Sequence, residues 1–162
     1  MRVAFILNGD DVIAKVRSGD RLVDLLRESY GLLGGCADCR KGSCGKCLIL
    51  LDGRTVPSCL VPAFMATGRE VITIEGFAQT DEYDDIVKGF DEAGLETCGF
   101  CDAGRILAAA TLLERKPRPS PEEILEELDS VKCRCADPVL IVRGILAAAE
   151  HRARRLYHRA GK

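Results

Sequence analysis

Nine cysteines in a chain of 162 residues constrain this protein more than any other feature of its sequence. They stand at Cys36, Cys39, Cys44, Cys47, Cys59, Cys98, Cys101, Cys133 and Cys135. An odd number cannot pair completely within one chain. The N-terminal run Val3–Leu7 is short, is followed closely by Asp10 and Asp11, and lacks a basic n-region and a cleavage site. It does not read as a signal peptide. The expected compartment is therefore the cytoplasm, where thiols stay reduced and disulfide staples do not persist. A metal framework explains the cysteines better than cross-links do.

The rest of the composition narrows the classes further. A net charge of −2 gives no general electrostatic case for nucleic acid or an acidic membrane surface. No apolar run approaches membrane-spanning length, so no membrane insertion is expected. No Ser/His/Asp set, paired catalytic carboxylates or phosphate-binding glycine loop can be assembled, and no catalytic residue is assigned.

The chain divides near residues 76–82, and domains are expected over 1–77 and 78–162. The first half is strand-rich. Val3–Leu7 and Val12–Val16 flank Asn8-Gly9, a strong hairpin signal, and Cys47–Leu51 and Arg54–Val56 flank Asp52-Gly53, a second one. Arg21–Tyr30 carries Leu22, Val23, Leu25, Leu26 and Tyr30 at helical spacing. Gly31–Lys46 reads as a loop, and Val71–Ile74 as a closing strand. The second half is helical. Glu82–Asp91 is amphipathic, Ala103–Leu113 is rich in Ala and Leu, and Ser120-Pro121-Glu122-Glu123 is a capping box opening a helix through Leu128. Pro138 to about Tyr157 makes a fourth helix, which suits a small antiparallel bundle. The acidic run Asp81–Asp85 reads as a solvated helix start. Arg152, Arg154, Arg155, Arg159 and Lys162 read as a solvated basic helix end, with a docking surface for an acidic partner as the sharper alternative. His151 and His158 lie on the same tail and are not read as ligands.

Cys39-x4-Cys44-x2-Cys47, with Cys59 beyond the next hairpin, is the plant-type spacing of a [2Fe–2S] ferredoxin loop. Four thiolates must surround two irons while backbone amides face the sulfides, which requires a tight loop without bulky side chains. Gly42 and Gly45 supply that freedom. Zinc is the competing reading, since Cys36-x2-Cys39 and Cys44-x2-Cys47 are both zinc-like pairs, but it leaves Cys59 spare. The iron–sulfur reading leaves only Cys36 spare, as a free or packed thiol. Cys98-Gly99-Phe100-Cys101 precedes one bundle helix and Cys133-Arg134-Cys135 another. Together they make a plausible four-thiolate site, with Gly99 in its tight turn. Spacing alone leaves zinc and iron both open there.

In order along the chain come Asn8-Gly9 after a strand, the Cys39/Cys44/Cys47 loop, Leu50-Leu51-Asp52-Gly53, Ser58-Cys59-Leu60 and Thr73-Ile74-Glu75-Gly76. Cys98-Gly99-Phe100-Cys101 with Gly104 and then Cys133-Arg134-Cys135 follow. This combination resembles the iron–sulfur subunit of the xanthine dehydrogenase/aldehyde oxidase family of molybdenum hydroxylases, which includes the carbon monoxide dehydrogenase small subunit. The resemblance implies an α+β chain: a β-grasp ferredoxin-like domain followed by a four-helix-bundle domain, each holding one [2Fe–2S] cluster. It implies a molybdopterin-binding large subunit and an FAD-binding medium subunit as partners, and no substrate turnover by this chain alone. Cys98, Cys101, Cys133 and Cys135 would hold the cluster nearer molybdenum. Cys39, Cys44, Cys47 and Cys59 would hold the one nearer flavin or an external acceptor. A free-standing two-cluster carrier is the alternative. All eight ligands are present, but four places depart from the family pattern. Asp38 stands for the usual Gly, and Thr97 for a Gln whose side chain contacts the pterin. Asp102-Ala103 replaces Thr-Pro, and Ala136-Asp137 replaces Thr-Gly.

Overall fold

The structure is a computed structural model and describes residues 1–161; Lys162, counted in the basic tail, lies outside the described residues. Strand β1 (Arg2–Leu7) alternates exposed and buried residues, sending Val3, Phe5 and Leu7 inward. It turns back into β2 (Asp10–Lys15) in an antiparallel register that sets Leu7 opposite Asp10. Asn8 (φ 53°) and Gly9 (φ 93°) both sit at positive φ, as a two-residue hairpin of the inverted turn type needs. Asp52 (φ 49°) and Gly53 (φ 76°) repeat this between β3 (Leu48–Leu51) and β4 (Arg54–Pro57). With β5 (Glu70–Ile72) the strands form one mixed sheet in the order β2-β1-β5-β3-β4, with β1 and β5 parallel.

Helix α1 (Leu22–Tyr30) lays Leu22, Leu25 and Leu26 across this sheet, packs Val23 against Cys47 and Cys59, and ends on Gly31 in the left-handed conformation. Its core partners include Val3, Phe5, Leu7, Ile49, Leu51 and Val71. The opposite face of β3 belongs to the second half. Leu48 and Leu50 pack into the same core as Ile86, Phe90, Leu107, Ile124 and Ile145. All four residues of β3 are buried because helices cover both faces of the strand.

The expected closing strand ends two residues early. Thr73 leaves the sheet because Asn8 holds it from both sides: the Thr73 N–H donates to Asn8 Oδ1 at 2.8 Å, and Asn8 Nδ2 donates to Thr73 Oγ1 at 3.1 Å. Residues Ile74–Phe77 then form α2, a single helical turn. The chain between β4 and β5 also contains two 3-10 turns, Ser58–Leu60 and Ala63–Ala66, which the sequence reading did not anticipate.

The bundle comprises α3 (Asp81–Glu92), α4 (Asp102–Arg115), α5 (Pro121–Leu128) and α6 (Pro138–Ala160). The capping box of α5 is formed: Ser120 Oγ accepts from the Glu123 N–H, and Glu123 Oε2 accepts from the Ser120 N–H at 2.9 Å. Helices α3 and α6 meet through Gly89 and Gly144; a Cβ on Gly89 would stand 2.3 Å from the Gly144 carbonyl oxygen. The acidic start of α3 is not a solvated terminus. Asp85 is buried and accepts from Arg155 Nε at 2.8 Å, and Glu82 accepts from Arg155 Nη2 at 3.0 Å. Arg159 reaches Asp81, and His151 Nε2 lies 2.8 Å from Glu92. Two arginines of the basic tail, Arg155 and Arg159, thus find their acidic partner in the same chain's α3, while Arg154 pairs with Glu150 and Arg152 donates to the Leu113 carbonyl. No helix of the described residues is long and apolar enough to cross a membrane.

Candidate metal centre

The first centre lies in the loop between α1 and β3. Arg40, Gly42 and Gly45 take positive φ there (53°, 75° and 67°), which curls the loop tightly around its thiols. The side chains fall into two pairs. Cys39 sits at the rim, where the Lys41 N–H, the Ser43 hydroxyl and the Cys44 thiol hydrogen-bond to it and lower its pKa to about 6. Cys47 and Cys59 are buried neighbours, and burial pushes the Cys47 thiol up to about 11. Ser58 ties this inner pair together: its N–H (3.0 Å) and hydroxyl (2.7 Å) both donate to the Cys47 carbonyl. Cys36 stands apart, its N–H bonded to the Lys46 carbonyl at 3.0 Å.

The second centre is assembled from two helix starts. Cys101 is the N-cap residue of α4, and Cys133 and Cys135 precede α6, whose N-cap Asp137 accepts from the Val139 N–H at 2.8 Å. Among the described residues only Cys101, Cys133 and Cys135 bring three metal-binding atoms within 4.8 Å of one another. Cys98 joins them through Cys135: hydrogen bonds from the Phe100 N–H and the Cys135 thiol lower its pKa. Burial, followed by a hydrogen bond with Cys133, pushes the Cys101 thiol up to about 12. Gly99 (φ 82°) makes the turn between Cys98 and Cys101; a Cβ there would meet nothing within 4 Å, so its backbone conformation is what requires glycine.

In the second centre Cys135 links Cys98 to Cys133, whose sulfur lies 3.5 Å away, and Cys133 lies beside Cys101; the first centre presents its thiols as two pairs, Cys39/Cys44 with Cys47/Cys59. Two pairs fit a binuclear cluster, which takes two protein sulfurs on each iron. A tetrahedral zinc site would instead draw all four sulfurs to within about 3.8 Å of each other. The first centre, with no trio of thiols inside 4.8 Å among the described residues, does not have that form.

The centres touch through backbone. The Lys132 N–H donates to the Cys44 carbonyl at 2.9 Å, joining the residue before Cys133 to a cysteine of the first loop. A Cβ on Gly45 would lie 2.2 Å from the Ser130 carbonyl oxygen, and one on Gly104 would lie 2.1 Å from the Gly45 carbonyl oxygen. Gly45 therefore serves the close approach of the two halves as well as the turn. Lys46 bridges the same junction, with Nζ 4.5 Å from the centre of the Phe100 ring and 2.6 Å from Asp38.

One residue of the second centre escaped the sequence reading. Arg105 is 2% exposed, and its Nη2 donates to Cys133 Sγ at 2.8 Å and to Cys101 Sγ at 3.1 Å. Its Nη1 donates to Asp102 at 3.1 Å, and Asp102 in turn accepts from the Thr97 hydroxyl. Thr97 and Asp102, two of the departures from the family pattern, therefore meet in one polar chain that ends on the ligand sulfurs. The available signal was an arginine one helical turn beyond Cys101 in an otherwise apolar stretch.

Residues 5–72 match the family described as a 2Fe-2S iron-sulfur cluster binding domain, and residues 73–146 match a second family described as a [2Fe-2S] binding domain. The chain is similar to the nicotinate dehydrogenase small FeS subunit of Eubacterium barkeri, at 35% identity over 89% of this chain and 92% of that one. It is similar also to the xanthine dehydrogenase iron-sulfur-binding subunit of Escherichia coli O157:H7, at 38% identity over 79% of this chain and 81% of that one. Among solved structures, a chain of quinoline 2-oxidoreductase from Pseudomonas putida 86 superposes with a TM-score of 0.87 at 35% identity, covering 95% of this chain and 96% of that one. The order of the two matched domains, the four thiols in each and the near full-length similarity lead to one conclusion: the chain belongs to the family of [2Fe–2S] iron–sulfur subunits of the xanthine dehydrogenase and aldehyde oxidoreductase type of molybdenum hydroxylases.

Proposed function

We propose that residues 1–77 and 78–162 each hold one [2Fe–2S] cluster and together relay electrons from a molybdopterin-containing large subunit to FAD on a medium subunit or to an external acceptor. Cys39 and Cys44 would bind one iron of the first cluster and Cys47 and Cys59 the other; Cys98 with Cys135 and Cys101 with Cys133 would do the same for the second. Gly42, Gly45 and Gly99 let the backbone fold close around these sulfurs. When bound, each cluster takes up and gives back a single electron, which is the chemistry the chain itself lacks.

The observation that carries this reading is the hydrogen bond from the Lys132 N–H to the Cys44 carbonyl. It links the two ligand sets through Cys44, one hydrogen bond and the Lys132–Cys133 peptide, without a long gap. Gly45 and Gly104 leave no room for a Cβ at that junction. The protein's tasks are then to fix the separation of the centres and to tune them through hydrogen bonds to their sulfurs.

The test uses the assembled complex and single substitutions. The purified complex is expected to contain about four irons and four labile sulfides attributable to this subunit, as two such clusters require. Cys36→Ser should leave that content intact, whereas Cys39→Ser should remove the first cluster alone. In Cys133→Ser, substrate added anaerobically should leave the first cluster oxidised while dithionite still reduces it. Rapid reduction by substrate would sink the relay order, and stoichiometric zinc without sulfide would sink the cluster assignment. A chain isolated with clusters but without flavin or molybdenum partners would favour the free-standing carrier.

A further inference from the structure

Arg105 is the one buried cation among the described residues, and its guanidinium is turned onto two sulfurs and a carboxylate. A guanidinium in a helix core costs several kcal/mol of hydration unless strong partners replace the lost water. Here the replacements are two thiol sulfurs and one carboxylate: Nη2 faces Cys133 and Cys101, and Nη1 faces Asp102. Neutral thiols are weak acceptors, and Asp102 is the only charged partner that holds it. Metal-bound sulfurs, which carry negative charge, would hold the guanidinium more firmly than neutral thiols do. The sulfur atoms met by Arg105 are those that would bind iron, and a thiolate sulfur bound to one iron keeps lone pairs that accept hydrogen bonds.

We propose that Arg105 sets the reduction potential of the second centre, raising it by placing a fixed positive charge on two of its ligand sulfurs. This inference rests on the reading that Cys98, Cys101, Cys133 and Cys135 hold a [2Fe–2S] cluster. Four thiolates, two sulfides and two ferric ions carry a net charge of −2. One electron added from the partner that delivers it makes this −3, with no bond formed or broken and no proton required. A guanidinium hydrogen-bonded to the ligands stabilises the −3 state more than the −2 state, so reduction becomes easier. The low dielectric around a side chain that is 2% exposed keeps this effect from being screened away.

Asp102 acts in the opposite direction and through Arg105. It is the counter-ion that keeps the guanidinium pointed at the sulfurs, and the Thr97 hydroxyl fixes its second oxygen. Its own negative charge subtracts from the effect of Arg105. Side-chain exposure of 26% lets water weaken that subtraction. The chain thus carries a strong inward cation and a weaker outward anion. The first centre has no counterpart: among the described residues no arginine or lysine side chain hydrogen-bonds to Cys39, Cys44, Cys47 or Cys59, where the one lysine contact is the backbone N–H of Lys41.

The experiment is a redox titration of the whole complex followed by paramagnetic resonance, comparing wild type with Arg105→Met, Arg105→Lys and Asp102→Asn. The two clusters are expected to give separate signals. In Arg105→Met the reduced-to-oxidised ratio of the second signal at a fixed potential should fall at least tenfold, a shift of about −59 mV for one electron. Arg105→Lys should recover part of it, and Asp102→Asn should move it the other way by less. The first signal should stay within twofold in all three. An unchanged or raised midpoint in Arg105→Met overturns the proposal. If that variant does not assemble, Asp102→Asn decides: an upward shift supports the proposal, and no shift or a downward one ends it. Absence of any second signal in the wild-type complex would count against the cluster assignment, a failure distinct from that of the inference.

Discussion

The two cysteine centres gather their four thiols by different routes. In the first, three of the four sulfurs come from one short loop, Cys39 to Cys47, and only Cys59 arrives from beyond the β3–β4 hairpin. Its geometry is local, set by residues at positive φ and by one serine clamping Cys47. In the second, the two cysteine pairs are separated by the whole of α4 and α5 and meet only when the bundle has packed. A local site can be read from spacing, whereas a packed site depends on contacts that spacing does not encode. The second route also admits a charge: a helix carries Arg105 into the core beside Cys101 and Cys133.

The largest test of this contrast is at the glycines. Gly45→Val should abolish loading of both centres, since its Cβ would meet the Ser130 carbonyl at 2.2 Å in a backbone conformation that side chains rarely adopt. Gly99→Ala meets no neighbour and should cost only about 1 kcal/mol of stability while keeping the iron. Iron and sulfide assays with thermal melts would separate the two; equal effects would mean that the junction at Gly45 is dispensable.

A smaller effect should show in the bundle that gathers the second centre. Asp85→Ala strips a buried carboxylate from Arg155 but leaves Glu82 in place, and should destabilise the fold by about 2 kcal/mol. Glu150→Ala, whose partner Arg154 is about as exposed as itself, should cost under about 0.5 kcal/mol. Denaturant titrations of the two variants give the comparison directly.

The mildest probe changes no residue. In the cluster-free chain at pH 7, Cys39 lies above its pKa of about 6 and is mostly thiolate, whereas Cys47 and Cys101, at about 11 and 12, remain thiols. Iodoacetamide should label Cys39 well before either buried thiol, as read by peptide mass spectrometry. Lowering the pH through 6 protonates Cys39 and should slow its labelling. Raising the pH through 9 should still be accelerating the buried pair. Equal rates at all three would show that the rim and inner positions do not differ in the folded chain.

Much of the molecule was legible beforehand, for reasons that differ by residue. Asn8-Gly9, Asp52-Gly53 and Ser120-x-x-Glu123 act within a few residues of themselves, so their turns and cap appear as expected. Cys39 and Cys44 share one loop and meet for the same reason, whereas Cys98 and Cys135 meet only through the packing of the bundle. The pairing of Arg155 with Asp85 was hidden, because residues 70 apart in sequence meet only through the packing of α3 on α6. Arg105 was hidden because an arginine in a helix ordinarily faces water, and only the tertiary position of Cys133 gives it another target. The closing strand was drawn too long because Thr73 answers to Asn8, which lies at the other end of the first half.

The burial of β3 on both faces has a consequence for portability. A protein engineer would be tempted to cut the first 77 residues free as a miniature ferredoxin or to graft them onto another redox enzyme. Severed from the bundle, Leu48 and Leu50 would lose their cover, at about 2 kcal/mol each, and turn an oily strip of a central strand towards solvent. Such a strip seeks another surface, and copies of the fragment would stick to one another before they carried any current. The unit that can be transplanted is the pair of halves, taken together with the seam between them.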